Sequence, residues 1–376
     1  YAKYQNTLAT MLTTQLNTYA TIARLRNYNS ALESAMDVDH LKPTLYHNLI
    51  KVVHRYLPYL HHYFKLRKER SGYSEFHLYD KGEPFISTIH KKYTIDEAID
   101  EVLESLKPLG ETYVRDLKKG YDSRWIDGYP HKGKRGGAYS WGTYATHPMI
   151  LLNFTNQVDD VRTLAHESGH SMHRYYSYQN NPYQTSSYTT FLAEIASTVN
   201  ELLLLNYQLE HAESKEEKCS IVNDLITRYQ GTLFTQTMFA EFELWCYEQI
   251  EQGLIPTAGD MNQKYMELLK LYYGDSVTID EYYQTGWSRI PHFYRNFYVY
   301  KYATGISIAT SFTSRILSGT ENALENYYKF LKAGGKDYSD RILKESGICV
   351  DDEQFIIDAL DYFKKQVETL EDLIKE

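Results

Sequence analysis

Apolar residues over the first seventy positions recur at intervals of three and four, as in Leu8, Met11, Leu12 and Leu16 and again in Leu49, Val52, Val53 and Tyr56. That is the period of helices with one buried stripe, so 1–70 is expected to form a helical lobe. Ile95, Ala98, Ile99, Val102, Leu103 and Leu106 repeat the pattern. They predict an amphipathic helix capped by Thr94 and ended by Pro108, with a short helical piece continuing to about Lys119. Between Tyr121 and Thr155 the pattern breaks. Five glycines (Gly128, Gly133, Gly136, Gly137, Gly142) lead into a β-prone run from Pro148 to Thr155, which predicts the one small sheet. Helical periodicity returns over 157–178, 190–212, 216–252, 258–273, 298–318, 321–332 and 352–375. The nine prolines leave 183–255 and 292–376 free of them, as long helices require.

Composition narrows the function. A chain of 376 residues with 43% hydrophobic and 24% charged residues can bury a large core and is not disordered. The net charge of −9, without any Lys/Arg block, argues against nucleic acid as a partner. No run approaches the 18 to 20 apolar residues of a membrane span, so no membrane association is expected. Cys219, Cys246 and Cys349 are far apart and in no CxxC pattern, which points to a reducing, cytoplasmic compartment rather than a disulfide framework. The chain opens at Tyr1 directly into helical sequence, so its natural N-terminus, with any targeting segment, is expected to lie outside it. Nothing in the pattern specifies an oligomer.

The chemistry is concentrated in His166-Glu167-Ser168-Gly169-His170. On a helix, residues four apart differ by about 40° in azimuth and about 6 Å along the axis, so both imidazoles can share one zinc with Glu167 beside it. Asn156 and Asp159 are placed to form a capping box for that helix, and no proline follows before Pro182. Chance supplies about 0.07 such motifs in a chain with 14 histidines. Gly169 adds weight, because glycine within a helix costs about 1 kcal/mol relative to alanine and is kept where something approaches closely. Zinc needs a third ligand that leaves a fourth position open. His173 lies about 10.5 Å along the axis from His166, too far, and is expected at the surface or orienting another group. Glu194 is favoured, in a helix whose apolar face is Leu192, Ile195, Val199, Leu202 and Leu203. Glu201, seven residues on, is the fallback ligand or an acceptor that orients an imidazole.

Three segments resemble one known family. They are Leu164 to His173, Phe191 to Ser197, and the tyrosine-rich run Ile290 to Gly305. Together they resemble the oligoendopeptidase F branch of the thimet-oligopeptidase-like zinc metallopeptidases, and the similarity runs from about Thr21 to the C-terminus. The resemblance implies a mainly α fold: a two-lobed helical, zincin-like shell around a deep channel, with a small sheet next to the metal helix. It divides the chain into a helical lobe, 1–120, and a catalytic domain, 121–376, with the sheet in 121–155. Two departures from the family are expected: its further N-terminal helical region is missing from this sequence, and the segment after Leu78-Tyr79-Asp80 is shorter than the family's. One zinc per chain is implied, held by His166, His170 and Glu194, with Glu167 as base. His292 and Tyr300, then Tyr294 and Tyr298, are the implied donors to the tetrahedral oxyanion.

The expected reaction is endoproteolysis of short, unfolded peptides. Zinc polarises water and the scissile carbonyl while Glu167 takes a proton and later delivers it to the leaving amine. The strand from Pro148 to Thr155 is expected to offer an edge for the peptide backbone. Lys132, Lys134 and Arg135 are expected near a peptide carboxylate. The alternatives are a metallocarboxypeptidase with the same zinc chemistry, or a non-catalytic helical scaffold.

Overall fold

Helices carry most of the computed structural model, which describes residues 1–84 and 91–375. In chain order they begin with α1 (Gln5–Leu25), α2 (Ala31–Asp37), α3 (Pro43–Ser71), α4 (Ile95–Ser105) and α5 (Glu111–Asp122). After the sheet come α6 (Val158–Asn180), α7 (Thr190–Glu210), α8 (Lys215–Tyr229), α9 (Thr235–Glu251) and α10 (Ala258–Tyr273). The last four are α11 (Tyr300–Leu317), α12 (Ala323–Ala333), α13 (Ser339–Glu345) and α14 (Gln354–Lys375). The mainly α expectation holds, and the helical run expected over 216–252 is α8 and α9 joined by a π turn, Gln230–Phe234. No described helix is long and apolar enough to cross a membrane.

The chain gathers into two compact units, neither continuous in sequence. One is built from 1–87, 223–304 and 351–376, the other from 88–222 and 305–350. In the first, α3, α9, α10 and α14 enclose an aromatic core. Trp287, 1% exposed, donates from Nε1 to Asn262 Oδ1 at 2.8 Å, so its one polar atom is satisfied inside that core.

The second unit contains the sheet and α6. Strands β1 (Ile126–Asp127), β2 (Tyr139–Trp141) and β3 (Met149–Leu151) lie in the order β1-β3-β2. β3 pairs in parallel with β1 and antiparallel with β2, so Ile150 faces Ile126 on one side and Ser140 on the other. This corrects one expectation, since the run from Pro148 to Thr155 supplies the central strand and not an edge. On the β1 side Ile150, Leu152 and Phe154 donate to the carbonyls of Trp125, Asp127 and Gly128 at 2.7–2.9 Å, and on the other side β3 pairs with β2. The outer edge belongs to β2, whose Ser140 Oγ is 2.8 Å from Ser171 Oγ of α6.

Helix α6 starts at a different cap from the one expected. Asp160 Oδ2 accepts from the backbone amides of Thr155 at 2.7 Å and Gln157 at 2.9 Å. Asn156 is in the left-handed region, φ 66°, and donates instead to the Tyr93 carbonyl at 2.6 Å. Asp160 therefore serves the orphan amides at the positive end of the helix. Thr94 caps α4 as expected, its side chain accepting from the Glu97 amide at 3.2 Å.

Helices α6 and α7 then pack backbone to backbone. A Cβ on Gly169 would stand 2.5 Å from both Ala196 O and Ser197 Cα, so only glycine permits this approach. Asn200 of α7 spans the contact, donating to Ala165 O at 3.2 Å and accepting from Tyr113 of α5 at 3.0 Å. Gly169→Ala is expected to destabilise the fold by about 1–3 kcal/mol, because the neighbouring atoms are main chain and cannot turn aside. The midpoint of urea unfolding checks this; an unchanged or raised midpoint, as bare helix propensity would give, removes the close-packing account.

Candidate metal centre and active site

The contact at Gly169 decides which side chains meet. His166 and His170 stand one turn apart on α6, with ring centroids 4.7 Å apart and their Nε2 atoms 3.1 Å apart. Glu194 reaches them from α7: its Oε2 lies 3.5 Å from His166 Nε2 and 3.4 Å from His170 Nε2. Among the described residues this is the one cluster of three His, Cys, Asp or Glu side chains placed to hold a metal. Donors at zinc distances of about 2.0–2.1 Å in a tetrahedron are about 3.3 Å apart, and the three observed separations bracket that value. Two neutral nitrogens and one carboxylate oxygen are also a donor set that suits zinc.

The carboxylates around this trio differ in state. Burial pushes Glu194 upward, but hydrogen bonding to His170, the charges of both imidazoles and a bond from Ser197 Oγ outweigh it and hold the group down at about 2. It is ready as a ligand. Glu201, one heptad along α7 and 3% exposed, is hydrogen-bonded to His166 Nδ1. With Nδ1 protonated, His166 Nε2 presents its lone pair to the same point as Glu194. Glu201 thus acts on the far side of the imidazole ring.

Glu167 is 6% exposed, and burial pushes its carboxyl up, opposed by the two imidazoles and by the Ser140 amide that donates to it. Its Oε2 is buried with no hydrogen-bond partner among the described residues. A carboxyl with one oxygen fixed by the outer strand and the other unengaged can accept a proton and return it.

Other candidates fall elsewhere. His173 is not at the surface: it is 0% exposed, stacked on Tyr188 at 3.7 Å with the tilted Phe330 ring at 4.7 Å. Burial pushes its pKa well down, and neither ring nitrogen has a partner among the described residues, so it packs as a neutral aromatic. Lys134 is not available to a substrate carboxylate. Its ammonium group, on a side chain only 3% exposed, is held by Asp127 Oδ1, Asp127 O and Tyr129 O at 2.8–3.0 Å. Lys132 and Arg135 remain exposed.

His292, Tyr294, Tyr298 and Tyr300 belong to the first unit. The His292 ring lies parallel to Tyr298 at 6.0 Å, whereas Tyr300 is 1% exposed and packs on Tyr46 at 5.3 Å. Tyr302 joins the first pair, edge-on to His292 at 5.9 Å and to Tyr298 at 5.4 Å. Its place in the same tyrosine-rich run was the one signal of it in the sequence.

Comparison with known proteins gives the family. Peptidase family M3 is matched over residues 1–362. Oligopeptidase PepF of Bacillus subtilis is 41% identical over 374 residues, covering 100% of this chain and 56% of the relative. A crystal structure from Chlamydophila abortus superposes with a TM-score of 0.94 at 40% identity, over 99% of this chain and 62% of that one. That of oligoendopeptidase-F from Enterococcus faecium gives 0.81 at 33% identity, over 100% and 61% respectively. The chain thus spans less than two thirds of the length of these relatives, and it shares the family that its three motifs imply. A match running through nearly all of its residues, 1–362, makes this chain a member of peptidase family M3.

Proposed function

We propose that the chain carries the active site of a zinc-dependent endopeptidase acting on short, unstructured peptides. The supporting observation is the convergence of His166, His170 and Glu194 at 3.1–3.5 Å from one another, beside the buried acid Glu167. One zinc ion per chain, held by those three residues, would polarise water and the scissile carbonyl. The names of the relatives, oligopeptidase and oligoendopeptidase, support the substrate class.

Each residue then has a separate task. Glu167 takes a proton from the attacking water and returns it to the leaving amine, a transfer that its raised pKa favours on the return. Glu201 holds the His166 ring in the tautomer that leaves Nε2 free. The outer edge of β2, with exposed Tyr139 and Trp141, would lie alongside an extended peptide, the Ser140 amide there being engaged by Glu167. Donors to the tetrahedral oxyanion would be those the family resemblance implies, His292 and Tyr300 first, then Tyr294 and Tyr298. The three separated cysteines fit a reducing, cytoplasmic setting.

Three measurements bear on this. Glu167→Gln is expected to lower kcat on an internally quenched, end-blocked peptide by at least about 100-fold while zinc content stays the same. A wild-type rate in that variant takes Glu167 out of the reaction, and failure of the unsubstituted protein to cut blocked ends favours a carboxypeptidase. Removing the metal with a chelator should abolish cleavage and added zinc restore it; activity that persists in rigorously stripped protein contradicts the proposal. Glu201→Ala should weaken zinc binding by about 10–100-fold in competition with a calibrated chelator, whereas unchanged affinity would leave Glu201 without its orienting role.

A further inference from the structure

Phe297 carries an unusual backbone for so bulky a residue: its φ is 46°, in the left-handed region that favours glycine. Such a conformation persists only where the surroundings over-determine it, and it is characteristic of functional turns. Here three contacts hold it. The Phe297 amide donates to Glu243 Oε1 at 2.8 Å. Its ring stacks on Tyr247 at 4.5 Å and stands edge-on to Tyr46 at 5.5 Å.

Glu243 is an odd residue to find in that place. It sits in the middle of α9, 1% exposed, one turn before Tyr247, and burial pushes its carboxyl well above the usual range. Its Oε2 and the Tyr247 hydroxyl are both buried without a partner among the described residues. An apolar side chain would suit this part of the core better, were packing all that mattered. What the carboxyl supplies and an apolar side chain could not is an acceptor for the amide of the left-handed residue, which would otherwise be an unpaired buried donor.

The turn in question orients the tyrosine-rich segment. Phe297 lies between the short 3₁₀ helix Pro291–Tyr294 and α11. Phe293, Phe297 and Val299 point into the core, while His292, Tyr294 and Tyr298 are half-buried. Because Tyr298 follows Phe297 directly, a change of φ at 297 to ordinary values would swing Tyr298 away from the His292 and Tyr302 rings that it contacts at 6.0 and 5.4 Å.

We infer that Glu243 is a positioning residue, whose carboxyl locks the left-handed turn at Phe297 and thereby fixes the His292, Tyr298 and Tyr302 rings as one preorganised cluster. The inference rests on the proposed peptidase reaction and deepens it. Its test uses the zinc-loaded protein and an internally quenched peptide. Glu243→Leu should lower kcat by about 10- to 100-fold, with KM changed less than about threefold and zinc content unaltered. Glu243→Gln, which keeps an acceptor, should rescue kcat to within about threefold of wild type. Equal losses in both variants, or no loss in either, overturn the inference. Should Glu243→Leu not fold, amide hydrogen exchange in the unsubstituted protein decides. Protection of the Phe297 amide like that of α11 amides supports the lock, and free exchange overturns it. A protein that cleaves the peptide yet ignores Glu243→Leu contradicts this inference alone, whereas one that cleaves nothing contradicts the peptidase reading and leaves the exchange measurement to judge the turn.

Discussion

Two helix backbones in van der Waals contact at Gly169 set everything that follows in the second unit. A side chain at that position would overlap Ala196 and Ser197, and the helices would part by the width of at least a methyl group. The distances from Glu194 to the two imidazoles, 3.4 and 3.5 Å, would grow beyond what one small cation can bridge. The helix repeat does the remaining work. His166 and His170 share a face because four residues nearly complete a turn, and Glu194 and Glu201 share one because seven nearly complete two. One face of α7 therefore offers a carboxylate to both imidazoles and, two turns on, a hydrogen bond to the far nitrogen of the first.

Two glutamates within this small region are held in different states. Glu194 is kept low, at about 2, by the imidazoles and by hydrogen bonds. Glu167, next to His166 in sequence, is pushed up by burial despite the same imidazoles. The difference follows from where each carboxylate points: one toward two donors, the other into a space where a single amide, that of Ser140, engages it. Separating like groups by environment is how a site obtains a ligand and a proton carrier from one residue type.

Much of this was legible in the sequence. Local periodicity identified α1, α4, α6, α7 and α10 because each buries a stripe that repeats at helical spacing, and the tandem of His166 and His170 is a local fact of the same kind. Glu194 was reachable because it lies on the next helix, a short turn away. Other features depend on distant partners. The central position of β3 follows from β1 and β2 closing on it from both sides, which alternation along the strand does not encode. Lys134 is occupied by carbonyls of residues five and seven positions earlier that meet it through the fold of a glycine-rich loop. His173 has the composition of a ligand and the surroundings of a core residue, since Tyr188 and Phe330 cover it. Nor could spacing disclose that segments as far apart as 1–87 and 351–376 gather into one compact unit.

The central claim is that two imidazoles and one carboxylate from adjacent helices hold a single metal. Zinc-edge X-ray absorption on the loaded protein addresses it most directly. The account predicts a shell of nitrogen and oxygen scatterers at about 2.0–2.1 Å with the outer-shell pattern of two imidazoles, reduced to one in His170→Ala. A sulfur shell at about 2.3 Å, or a spectrum that His170→Ala leaves unchanged, would contradict it.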